Sequence, residues 1–249
     1  MSRASRAIKK TGRILKWTFA ALIAFVCGFL LWRILSAGDP DSIKRLTVNE
    51  RIHVAYTDSG EDLAMFTQEQ NSITRADNNA GYFAVTNHVF IPKANQVQLV
   101  FRYNNSTIRA LKEDYQLEQT PSRDDELYDV TLVLAIDLTP NDTSDNAGND
   151  PKSVRFVRVH ATDAPTADKS TLYNYRRFVF DVGESGEDLS ALLDSGLLLA
   201  VYADVYYVED CDYENTAPYG TLCLYDYLSK NVPVKLTTDD RQGLTQFGN

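Results

Sequence analysis

Tyr128-Asp129-Val130-Thr131-Leu132-Val133-Leu134-Ala135-Ile136-Asp137-Leu138-Thr139 is the stretch on which the fold turns. Tyr128, Val130, Leu132, Leu134, Ile136 and Leu138 share one parity, with Asp129, Thr131, Asp137 and Thr139 among those on the other. Strand side chains alternate between two faces, so this period of two predicts a strand with one buried face. Val97, Leu99, Phe101 and Tyr103 repeat the pattern before the turn-prone Asn104-Asn105-Ser106, as do Phe178, Phe180 and Val182 after Arg176. Leu197 to Val208 is apolar on both faces until Asp204, which predicts a central strand. Thr221 to Tyr227 returns after the turn region Asn215 to Gly220, and Tyr82–Ile91, Val154–Ala161 and Val232–Thr237 are further strand candidates.

Strands this dense, with turn signals between them and few helical stretches, predict a mainly β fold, a β-sandwich of Ig-like or jelly-roll type. A pentapeptide occurs twice, as Ser59-Gly60-Glu61-Asp62-Leu63 and Ser185-Gly186-Glu187-Asp188-Leu189. Each reads as a helix start, with serine as cap and acids in the positive first turn. The second helix, ending near Gly196, would join two strands across the sandwich.

Upstream lies the only long uncharged run, Trp17 to Trp32, closed by Lys16 and Arg33. Fifteen helical steps separate the two tryptophans by roughly 22 Å, which suits a hydrocarbon slab with an aromatic anchor at each face. Lys16, Trp17, Trp32 and Arg33 are the expected membrane anchors of a transmembrane helix over residues 17–37. Arg3, Arg6, Lys9, Lys10, Arg13 and Lys16 precede it without an acid, so the positive-inside rule places residues 1–16 in the cytoplasm. A cleavable signal peptide has a shorter core and a small-x-small site, whereas Leu35-Ser36-Ala37 offers a bulky residue in place of a small one. The expectation is a single-pass cell-membrane protein with residues 38–50 as a stalk, 51–249 as the extracytoplasmic domain and its core over about 80–238.

All 34 acids follow the span and seven of the 25 bases lie at or before Arg33, which leaves residues 38–249 at a net −16. A field of that sign repels nucleic-acid phosphates, so no nucleic-acid partner is expected. Cys211 and Cys223 are the only cysteines beyond the span, and in an oxidising compartment they read as a disulfide across a hairpin whose turn centres near residue 217.

Signals of chemistry are sparse. His53, His88 and His160 stand apart from one another, and Gly183-Glu184-Ser185-Gly186 lacks the second glycine of a nucleophile elbow. Asn141 to Asp150 supplies hard oxygen ligands, with Asp142, Asp145 and Asp150 as metal candidates, but not the glycine and final glutamate of an EF-hand loop. Asn104, Asn105 and Asn141 begin N-x-Ser/Thr triplets. Seven of the 14 tyrosines fall between Tyr202 and Tyr227, and Tyr206, Tyr213 and Tyr219 are the candidate binding face. Core packing is the rival reading of those rings, and no tryptophan accompanies them as a sugar platform. No cofactor is expected. The function these features favour is a membrane-anchored binding or scaffolding protein without catalytic activity, held in lipid by residues 17–37 and meeting a protein partner outside. The alternative is a glycan- or calcium-binding module, and an unrecognised hydrolase comes third.

Overall fold

The computed structural model describes residues 3–35, 41–60, 63–68, 83–138, 153–162, 166–170 and 172–247. Helix α1 (Arg3–Leu35) is followed by a domain whose described residues form ten strands in two antiparallel sheets. Strands β1 (Phe66–Thr67), β2 (Ala84–Ile91), β3 (Gln96–Tyr103), β6 (Thr166–Lys169), β7 (Asn174–Asp181) and β10 (Val232–Pro233) form a six-stranded sheet in the order β10-β1-β2-β3-β7-β6. Strands β4 (Tyr128–Asp137), β5 (Val154–Val159), β8 (Leu198–Tyr207) and β9 (Gly220–Asp226) form a four-stranded sheet in the order β5-β4-β8-β9.

The alternation in β4 does what its period requires. Val130, Leu132, Leu134 and Ile136 are 0–2% exposed and meet Phe90, Leu99, Phe101, Phe178 and Phe180 of the other sheet in one core. Beyond Asp137 the strand stops, so Leu138, expected on the buried face, is 51% exposed. β8 lies between β4 and β9, the central position its apolar sequence predicts. Helix α4 (Leu189–Asp194) connects β7 of one sheet to β8 of the other, as its sequence predicts, and Leu189 and Leu192 drop into the core.

Local capping differs from the prediction. In both copies of the repeated pentapeptide the Ser-Gly pair ends a helical turn. Helix α2 (Glu50–Ser59) stops at Gly60, whose φ of 60° favours glycine, and Gly186 closes the turn Val182–Ser185 with φ 82°. Asp188, not Ser185, caps α4 by accepting from the Ala191 amide. Asn104, expected in a turn, is the cap of α3 (Asn105–Asp114), where it accepts from the Ser106 and Thr107 amides.

The expected stalk is instead part of the domain. Residues 41–48 lie as a strap over the outer face of the six-stranded sheet. Ile43 covers Val100 and Tyr175, and Thr47 exchanges two hydrogen bonds of 2.8 Å with the side-chain amide of Gln98. Beside the strap, α2 and α5 (Thr238–Gln246) close a second core of Ile52, Ala55, Leu63, Met65, Val89, Ile91, Leu236 and Leu244. The core thus extends past the expected 80–238 at both ends. Asp240 is the link between them, 4% exposed. It accepts from the Leu46 amide at 2.8 Å and the Thr237 amide at 2.9 Å.

Asp240→Ala should therefore cost about 2 kcal/mol or more, because it strips a helix cap and orphans two amides. Asp239→Ala, which loses only an exposed pair with Arg45, should cost under about 1 kcal/mol. Urea denaturation checks the ranking, and limited trypsinolysis should show faster cutting after Lys44 and Arg45 in Asp240→Ala alone.

Candidate functional site

Tyr206, Tyr213 and Tyr219 do not form an exposed face. Tyr219 sits in the main core with its ring 5.4 Å from that of Phe83, and its hydroxyl donates to Asp114. Tyr206 projects from the outer face of the four-stranded sheet yet is 1% exposed, because residues 208–219 fold back over it. Tyr213 is the cover. Its ring stands edge-on to Tyr206 at 5.1 Å and to His160 at 4.7 Å, its hydroxyl donates to Asp129, and its carbonyl accepts from Arg158. Burial and the bonds to Asp129 and Cys211 push the Tyr213 hydroxyl well above the usual tyrosine range. Beneath this cover, burial raises the carboxyl of Asp204, opposed by the Thr221 hydroxyl, which donates to it at 2.7 Å, and by the charge of Arg158. The arrangement locks a loop onto a sheet, and its rings are spent in doing so.

The same loop rules out the expected disulfide. Val205 pairs with Gly220 and Tyr202 with Cys223, so the β8–β9 connection centres near residues 212–213 rather than 217. Cys211 lies in the connection while Cys223 lies across from Tyr202, and the two are not bridged. The Cys223 thiol donates to the Tyr225 carbonyl, and burial raises its pKa.

What the outer face does present lies nearer its other edge. Phe156, in the middle of edge strand β5, is 65% exposed. It pairs with Ala135, and the next row across the sheet runs Arg158, Val133, Tyr202, Cys223. Val133, Tyr202 and Cys223 are half-buried, so the strip is partly exposed, and among the described residues no strand pairs with the free side of β5. Sequence places Phe156 in a strand, but only the sheet order reveals that the strand is an edge. On the opposite side of the main core, clefts of about 270 and 230 Å³ flank the strap at Ile43 and Leu46.

The other candidates fall out of the site. Asp142, Asp145, Asp150 and the whole segment Asn141–Asp150 lie outside the described residues, and among the described residues no three His, Cys, Asp or Glu side chains converge on a metal position. Ser185 of the elbow-like sequence donates to the Val182 carbonyl at 2.7 Å. His53 sits with its Nδ1 2.9 Å from the Leu244 carbonyl and its ring against Phe247. Lys16, Trp17, Trp32 and Arg33 stand on α1, whose apolar window Leu15–Arg33 has mean hydropathy 1.9 and is not buried among the described residues. That helix is long and apolar enough to cross a membrane. No protein-family model, curated protein or solved structure matches the chain.

His88 is 2% exposed between Thr67 and Gln68, with the Gln68 amide donating to its Nε2 at 3.3 Å. Desolvation lowers its pKa to about 4, so it folds neutral. The unfolded chain takes up this proton near pH 6.5 and the native chain does not until pH 4, so the protein loses stability as pH falls through that window. His88 alone should remove about 2 kcal/mol between pH 7 and 5. Urea midpoints measured across that range should show the slope, and His88→Gln should flatten it.

Proposed function

We propose that this chain is a single-pass, membrane-anchored, extracytoplasmic binding or scaffolding protein without catalytic activity, and that the outer face of the four-stranded sheet around Phe156 receives a protein partner. The carrying observation is Phe156 itself, a large apolar ring 65% exposed on an edge strand. Soluble domains blunt such edges with charge, but here Arg155 is paired with Glu187 and Arg158 is bonded to the Tyr213 carbonyl, so the charges of β5 are held within the domain and the ring stays accessible. A partner segment adding along β5 would pair main chain to main chain and set an apolar residue against Phe156.

The two sheets sharing one core support a β-sandwich, with the Ig-like or jelly-roll type as the finer reading. The six leading basic residues support a cytoplasmic N-terminus, and the charged close of the apolar run supports a retained anchor. A glycan reading loses its platform, since Tyr206 and Tyr219 are buried.

A photo-crosslinking side chain at position 156 in the native membrane should give one discrete adduct, diminished by Val133→Asp, with none from the exposed Glu113 on α3. Equal labelling from both positions, or none from 156, would reject the surface. Protease added to intact cells should digest the domain and spare an N-terminal tag, and recovery of a mature N-terminus near Gly38 would sink the anchor.

A further inference from the structure

β7 carries polar residues where its own period calls for apolar ones. Phe178 and Phe180 enter the main core, and the same parity puts Asn174 and Arg176 on the core-facing side of the sheet, 2% and 7% exposed. Burying an amide and a guanidinium is costly unless their donors are met. Here they are met only in part. Arg176 Nη2 donates to the Asp125 carbonyl at 3.1 Å, and Arg123 Nη2 donates to Asn174 Oδ1 at 3.2 Å. Among the described residues, Asn174 Nδ2 and Arg123 Nε remain buried without a partner, as does the hydroxyl of Tyr103, which lies opposite Asn174 in the sheet. Among the described residues neither arginine forms a salt bridge, although the domain around them is strongly acidic.

These donors back a cleft of about 210 Å³ between the chain at Arg123–Glu126 and the β6–β7 hairpin. Its exposed rim has the opposite character. Asp124 is occupied by Lys169 at 2.6 Å, Asp168 accepts from the Ser42 hydroxyl and the Lys169 amide, and Glu126 makes no bond among the described residues. The floor therefore carries two cations, with the unspent donors of Asn174 and Arg123 just beneath its surface, and the rim an unspent carboxylate. A pure anion would meet repulsion on entry, and a pure cation would find nothing at the floor. The cleft is smaller than sites for drug-sized ligands, which run from about 300 Å³ upward.

We propose that this cleft binds a free carboxylate–ammonium zwitterion of small amino-acid size, with its carboxylate taken by Arg123, Asn174 and Arg176 and its ammonium by Glu126. A planar guanidinium fork matches a carboxylate in geometry as well as charge. The site is independent of the surface around Phe156, and either can fail without the other.

The test is calorimetric titration of the full-length protein in detergent micelles with glycine, L-alanine, L-serine and L-glutamine. Acetate, ethylamine and inorganic phosphate serve as single-sign probes. At least one amino acid should bind saturably, about tenfold or more tighter than any single-sign probe, and Arg123→Gln and Glu126→Gln should each weaken it about tenfold. Glu126 is exposed, so its variant should keep the wild-type unfolding midpoint and remain informative even if the arginine variant folds poorly. Absence of saturable heat with all four amino acids would mean that ordered water fills the cleft and would overturn the proposal. So would acetate or phosphate binding as tightly as any amino acid, or an affinity unchanged in Glu126→Gln.

Discussion

The middle strands of the six-stranded sheet are buried on both faces, and most of the domain follows from that constraint. β3 sends Val97, Leu99, Phe101 and Tyr103 into the main core while Gln96, Gln98 and Val100 on its other face are also 1–4% exposed. A sheet of this kind needs two covers. The four-stranded sheet supplies one. The second is assembled from chain remote in sequence, the strap and α2 from the beginning and α5 from the end, joined at Asp240. Gln98 shows how the polar cost of that cover is offset, since its amide bonds the Thr47 main chain in both directions, as an adjoining strand would.

Polar groups buried elsewhere divide into the satisfied and the spare. Under Tyr213, Arg158, Asp129 and Thr221 are matched to a carbonyl, a hydroxyl and a carboxylate, and the result is a fastened loop, although Arg158 Nε is met by no bond among the described residues. At the far end of β7 the matching is incomplete, with donors in excess. What sets the far end of β7 apart is that its unspent donors adjoin a cleft and two arginines without a carboxylate partner among the described residues.

The sequence makes the strands legible because a period of two survives in β3, β4 and β7, and because β8 is apolar on both sides. What it hides is non-local. Ile43, Leu46 and Val48 are too few and too short a run to announce a cover, and nothing near Gln98 in sequence says that Thr47 will lie on it. The β8–β9 connection misleads for a local reason. Asn215 to Gly220 has turn composition, but the chain leaves β8 at Tyr207 and folds back through Tyr213, so the centre sits earlier and the cysteines fall out of register. The repeated pentapeptide misleads because glycine's positive φ ends a helix more strongly than serine begins one. At Asn174 and Arg176 a signal was present: two polar residues on the parity of Phe178 and Phe180 mark a break in the core pattern that composition alone obscures.

The strap begins at Asp41 and is fastened to the sheet at Ser42 and Ile43, so residues 36–40 separate the end of α1 from it. Six backbone steps reach about 20 Å at full extension. In a membrane-anchored chain so brief a leash turns a soluble module into a surface-bound one. Its excursions are confined to a thin layer above the lipid, and its encounters with other anchored proteins become a two-dimensional search. In such a layer weak contacts suffice, since effective concentration replaces affinity.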